Sequence, residues 1–108
     1  MIRSKIETYI GFSIKAGKFK CGANAAATLK SAALLVLCHT AAKNSVEECV
    51  KLAKKFRCRI VLSKGKTVEE LTGKEQCKIL AITDGSLAQA ILGRLDDEFT
   101  EFKWEAKR

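Results

Sequence analysis

The chain of 108 residues contains no proline, one histidine, one tyrosine, one tryptophan and one methionine. Each scarcity narrows what it can be. The lack of proline, with no Gly/Ser-rich stretch, excludes the usual linker and low-complexity compositions, and no self-similarity recurs at solenoid periods. A single histidine, His39, leaves acid–base catalysis without a partner pair. Neither G-x-G-x-x-G nor G-x-x-x-x-G-K-[ST] occurs, so no glycine-rich nucleotide cradle is encoded. No nucleophile–base pair is visible, and the chain reads as a non-enzyme without a cofactor. The longest apolar run, Ala32 to Cys38, is far shorter than the ~20 residues needed to span a bilayer. The first residues carry charges throughout instead of an apolar signal core. The expectation is a soluble cytoplasmic protein.

Five cysteines occur, at 21, 38, 49, 58 and 77, an odd number with no C-x-x-C pair. Three border or sit within apolar runs. They read first as small buried thiols in a reducing compartment. A scattered zinc site that includes His39, or a redox disulfide, is the alternative.

What the chain has in plenty is positive charge. Twenty Lys and Arg face twelve Asp and Glu, for a net +8. Residues 96–108 carry a net −2, so the preceding 95 residues carry +10. A basic domain with a mildly acidic tail suggests a polyanionic partner. A hydrophobic fraction of 47% is enough for one compact core. The expected division is a domain over 1–95 and an acidic, aromatic tail over 96–108. The tail bears Phe99, Phe102 and Trp104, which either pack back on the domain or engage a partner.

Periodicity gives the elements. Ile2, Ile6, Tyr9, Ile10 and Ile14 recur at helical spacing, predicting a helix over 3–16 that Gly17 stops. Lys18 to Cys21 can form a brief strand. Asn24 is a good N-cap for an alanine-rich helix running to about Ala32. Leu34–Cys38 reads as a strand buried on both faces. Ser45-Val-Glu-Glu48 fits a capping box for a third helix with Val46, Cys49, Val50, Ala53 and Phe56 inward. Cys58–Leu62 is the next strand. Thr67-Val-Glu-Glu70 is a second capping box, opening a short helix that Gly73 ends. Lys78–Ile82 is a strand, and Asp84 with Ser86 caps a last helix with Leu87, Ala90, Ile91 and Leu95 inward. The carboxylates Glu47, Glu48, Glu69 and Glu70 fall at helix starts, where the macrodipole favours them. Strands alternating with helices imply an α/β fold with helices on both sides of one sheet.

The stretch from Gly17 to Ala32 stands out. A glycine followed by a helix start exposes backbone N–H groups suited to a phosphate or a base edge, and Lys18 and Lys20 flank its approach. The same stretch carries a resemblance. "IGFSIKAGKFKCGANAA", then "LLVLCHTAAKNS", "CRIVL" and "ELTGKEQCKILAITDGSLAQAIL", resembles the ribosomal kink-turn RNA-binding family. Its members include the archaeal large-subunit protein L-seven-Ae, eukaryotic L-thirty-e and small bacterial relatives. The resemblance runs from about Ile6 to Leu95 and implies a three-layer α/β/α sandwich around one mixed sheet.

It also implies binding to a kink-turn, a sharply bent RNA with tandem sheared G·A pairs, by three parts of the protein. Carried over by position, the first part is Gly22 and Asn24, with Lys20 just before meeting phosphate. The second is the loop from His39 to Lys43. The third is Gly73 to Gln76, with Lys74 reaching the RNA backbone. Two positions depart from the archaeal pattern. Ala25 stands where that pattern has glutamate, and Thr28 where it has lysine. The implied contacts are therefore Lys18, Lys20, Gly22, Asn24, Thr28 and Lys74, with Lys43 peripheral. The expected function is a ribosomal or ribosome-associated binder of structured RNA. The rival is a protein–protein module on the same fold.

Overall fold

A computed structural model describes residues 5–103. The expected helix start at residue 3 and the tail residue Trp104 lie outside them. The elements are α1 (Lys5–Lys15), β1 (Phe19–Cys21), α2 (Ala23–Ala27), β2 (Leu34–Cys38), α3 (Lys43–Phe56), β3 (Arg59–Ser63), α4 (Val68–Thr72), β4 (Ile79–Ile82), α5 (Gly85–Leu92) and β5 (Phe99–Glu101). The strands form one sheet in the order β1-β4-β2-β3-β5. Only β2 and β3 run parallel, joined through α3; the other neighbours are antiparallel. The fold is α/β around a mixed sheet.

The alternation of side chains along a strand divides the core in two. Leu34, Val36 and Cys38 of β2 and Leu80 and Ile82 of β4 pack with Ile6, Ile10, Val68, Ala88 and Ile91, the inner residues of α1, α4 and α5. Leu35 and Leu37 of β2 and Ile79 and Ala81 of β4 pack with Ala26, Cys49, Leu52 and Ala53 of α2 and α3. Helices thus cover both faces. This is why the central strands are unbroken apolar runs, and every residue of β2 and β4 is buried.

Several helix ends form as the sequence indicates. Gly17, at φ 72°, closes α1, with Lys18 N donating to Ser13 O and Gly17 N to Ile14 O. Thr67 and Glu70 make a reciprocal capping box, and Gly73 ends α4 in the left-handed conformation. Asp84 caps α5 by accepting from Ser86 N and Leu87 N, so Ser86 supplies an amide and not a second cap.

Others differ. The third helix starts two residues before Ser45, with Ala42 as an N-cap that offers no side-chain bond. Ser45 is therefore its third residue. Glu47 and Glu48 fall beyond the first turn, away from the favourable end of the dipole. The alanine-rich helix is capped by Gly22 rather than Asn24 and stops after five residues. Thr28 N and Leu29 N bond three residues back, to Ala25 O and Ala26 O, tightening the turn. The chain must then extend so that Ala33 N can reach Ile82 O and start β2 beside β4. Sheet pairing overrides the helical propensity of the alanines. β3 and β4 each begin one residue later than expected. Leu95 lies past the end of α5 but still packs on the same core.

The segment after Leu95 returns to the sheet. Asp96 Oδ1 accepts from Glu98 N and Phe99 N, turning the chain, and β5 pairs with β3 so that Phe99 opposes Ser63. Phe99 is 1% exposed. Replacing it by alanine removes a large ring from a closed core, a change that costs about 3–5 kcal/mol. We expect Phe99→Ala to lower unfolding stability by that amount in a denaturant titration. A near-neutral result would mean that the chain beyond Leu95 adds little to the core.

Candidate nucleic-acid interface

Three segments meet at one end of the sheet. Because β1 runs antiparallel to β4, the end of β1 lies beside the start of β4, and Gly22 N donates to Ile79 O at 2.7 Å. Because β2 is also antiparallel to β4, its end and the following start of α3 arrive at the same place. Between them lies a cleft of about 260 Å³. Gly22, Ala23 and Asn24 form one wall, Ser45 and Glu48 of α3 another, and Gln76, Lys78 and Ile79 the third. A shallower cleft of about 180 Å³ adjoins it along α3, sharing Ala23, Asn24 and Glu48 and adding Ala27, Lys51 and Leu52.

Gly22 sits at φ 89°, ψ 153°, a backbone region that essentially only glycine occupies. Space is not the reason: a Cβ there would meet nothing within 4 Å. The conformation turns β1 directly into α2 and leaves the approach to the cleft open.

The opposite wall is held by a polar network. Lys78 Nζ donates to Glu69 Oε1 at 3.0 Å and to Thr40 Oγ1 at 2.9 Å. The other oxygen of Glu69 accepts from Gln76 N at 3.0 Å. Thr40 in turn touches the Cys38 thiol at 3.0 Å. Lys78 thus fixes the loop after β2 against the loop before β4. His39 turns the other way, its Nδ1 within 2.9 Å of Ser63 O. Gln76, at φ 60°, completes the second loop.

The residues singled out from the sequence divide into groups. Gly22 and Asn24 line the cleft, joined there by Gln76 from the distant loop. Lys43 and Lys74 are exposed and lie two residues from the lining residues Ser45 and Gln76. Lys20 is exposed on β1, between Phe19 and Cys21, which pack toward α1 and α5. By strand alternation it faces the α2 and α3 side. Lys18 belongs to the turn after α1, where its carbonyl accepts from Thr83 N. Thr28 is turned inward on its own helix, its hydroxyl donating to Ala25 O at 2.6 Å. Neither Lys18 nor Thr28 lines the cleft. The helix start at Gly22 also carries less field than a long helix would, since only five residues align behind it.

Sequence reasoning missed Ser45 and Glu48 as cleft residues and Lys78 and Glu69 as the pair that positions it. The sequence pattern makes Glu48 a capping partner and Lys78 an ordinary strand residue.

Basic and acidic side chains both border the cleft. Lys18, Lys20, Lys43, Lys51 and Lys74 form no ion pair with a described residue. The Glu48 carboxylate faces the cleft and likewise has no partner among the described residues. The thiols nearby are held protonated. Burial, reinforced by the neighbouring Cys21 thiol, pushes Cys77 up, and burial pushes Cys49 up to about 12. Among the described residues no group of three His, Cys, Asp or Glu side chains could hold a metal ion, and no helix is long and apolar enough to cross a membrane.

No protein-family model matches the chain, and no curated protein does. Among solved structures it is similar to a protein of unknown function from Bacillus halodurans, with a TM-score of 0.69 and 11% identity over 84% of this chain and 96% of that one. At that identity the likeness concerns the fold.

Two glycines separate backbone need from ordinary substitution. Gly22→Ala should destabilise by about 1–3 kcal/mol through strain alone. Gly11→Ala, inside α1 with open space around its Cα, should stabilise by about 0.5–1 kcal/mol. Thermal melts of the two variants check both signs.

Proposed function

We propose that this is a non-enzymatic RNA-binding protein, ribosomal or ribosome-associated, that recognises the shape of structured, kink-turn-like RNA in the cytoplasm without a cofactor. What supports the reading above all is the cleft. Gly22 and Asn24, and the loop Gly73 to Gln76, are far apart in sequence, are two of the three parts the family resemblance assigns to RNA, and line or adjoin one recess.

In this reading the lysines meet phosphates and the cleft meets a base. Lys20, Lys43 and Lys74 supply mobile positive charge on its margins, and the open approach beside Gly22 lets a nucleotide come close to the backbone. The Asn24 amide offers both a donor and an acceptor to a base edge. Most of the affinity is electrostatic and falls with salt, while the bend of the RNA decides which nucleotides reach the cleft. Thr28 contributes little, because its hydroxyl is already engaged.

A second reading has its own observation. On the opposite edge of the sheet a recess of about 320 Å³ is lined by Cys58, Arg59, Ile60, Glu101, Phe102 and Lys103. A protein partner seated beside β5 would make the domain an interaction module.

Binding to a kink-turn RNA and to a plain duplex of equal length, each at two salt concentrations, separates the readings. We expect tighter binding to the kink-turn. Lys20→Ala and Lys74→Ala should each weaken it several-fold and flatten the salt slope by about 0.7–0.9, the contribution of one neutralised phosphate. Unchanged affinity and slope in both variants would remove this face from RNA binding and turn attention to the recess beside β5.

A further inference from the structure

We propose that Cys21 and Cys77 form a reversible oxidation site, closing to a disulfide that staples the end of β1 to the loop before β4. The cross-link stands without any ligand; its effect on binding rests on the RNA-binding reading above.

The sheet brings the two thiols together. Gly22 N and Cys77 Sγ donate to one acceptor, Ile79 O, at 2.7 and 3.5 Å. The Cys77 sulfur therefore lies beside the Gly22 amide, one residue from Cys21, and the Cys21 and Cys77 thiols are in hydrogen-bond contact. Both belong to the same core. The other thiols are placed differently. Cys38 Sγ accepts from Val68 N and touches Thr40. Cys49 is sealed in the second core, and Cys58 borders the recess beside β5.

Exposure divides the labour within the pair. Cys21 is half-buried, whereas Cys77 is 3% exposed. A peroxide arriving from solvent meets Cys21 first. The Cys21 thiolate attacks one peroxide oxygen and the O–O bond breaks. The departing hydroxide takes up the proton that Cys21 released, leaving a sulfenic acid and one water. The Cys77 sulfur then attacks the Cys21 sulfur. The S–O bond breaks, and hydroxide leaves with the Cys77 proton as a second water. The two thiols lose the two electrons that the peroxide gains. Burial holds Cys77 protonated, its thiol pushed up to about 12. It is therefore the resolving partner, and closure quickens as pH rises. A thiol reductant reverses the bond by exchange, so in a reducing compartment it is transient.

The staple would act on both walls of the cleft. β1 is a three-residue edge strand, and the bond ties its end covalently to the chain entering β4. Closing a loop that long restricts the unfolded chain and raises stability. Drawing the sulfurs from contact to covalent distance takes Cys77 off Ile79 O and displaces its neighbour Gln76, which lines the cleft with Gly22.

The test treats the intact chain with hydrogen peroxide and maps peptides without reduction. The first internal cross-link should join Cys21 to Cys77, raise the melting temperature and be undone by dithiothreitol. In Cys77→Ser, dimedone should trap Cys21 as its sulfenic acid. In Cys21→Ser, Cys77 should stay unmodified. A first cross-link between any other pair, or none at all while Cys21 oxidises further, overturns the proposal. The mapping on the wild-type chain decides this even where a variant fails to fold. Oxidised wild type should bind kink-turn RNA several-fold more weakly than reduced protein, with recovery on reduction, and Cys21→Ser should not respond. An oxidised protein that binds as the reduced one does overturns the link to the cleft. Reduced protein that binds no kink-turn RNA overturns the RNA reading and leaves the mapped cross-link standing.

Discussion

The antiparallel seating of β4 between β1 and β2 is the constraint on which the rest of the molecule depends. β4 has four residues, all buried, and hydrogen-bonds on both sides. Its direction brings the end of β1, the end of β2 and its own start to one end of the sheet. The ladder brings these segments together, and the bonds of Lys78 and Glu69 then fix two loops beside the cleft. Shifting β4 by one residue would exchange Leu80 and Ile82 with Ile79 and Ala81 between the two cores. The cleft would lose its floor in the same step. Packing and site geometry are therefore consequences of one pairing.

Charge is distributed in two ways around that frame. The pair of Lys78 and Glu69 is partly shielded and multiply hydrogen-bonded, and it locks two loops together. Its value lies in geometry more than in net stability, as for most ion pairs near a surface. Lys18, Lys20, Lys43, Lys51 and Lys74 form no ion pair with a described residue. Glu48 differs from both: it lines the cleft and has no partner among the described residues.

Much of this was legible in the sequence, and the failures have physical causes. β2 and β4 stood out because burial on both faces produces unbroken apolar runs. The caps at Thr67 and Asp84 and the stops at Gly17 and Gly73 were legible because each depends on bonds within a few residues. Ser45-Val-Glu-Glu48 has the same form as Thr67-Val-Glu-Glu70 and yet does not cap, since the chain leaving β2 turns early, with Ala41 N on Cys38 O, and the helix begins before the serine. The short α2 was misread for a related reason: alanines favour a helix until the next strand must be reached. At the cleft, Gly22 and Asn24 were legible from residue type and order. Glu48 and Lys78 were not, because their roles arise only when segments separated by tens of residues meet.

The sheet also ends in an instructive way. Its stickiest strips, Leu34–Cys38 and Ile79–Ile82, are innermost, while the two outermost strands, Phe19–Cys21 and Phe99–Glu101, are three residues long and each carries a charged side chain at its centre or end. An edge this short and this charged offers a passing strand too few backbone partners to grow on. A chain with nearly half its residues apolar thereby keeps its aggregation-prone segments out of reach and can work crowded among its own copies.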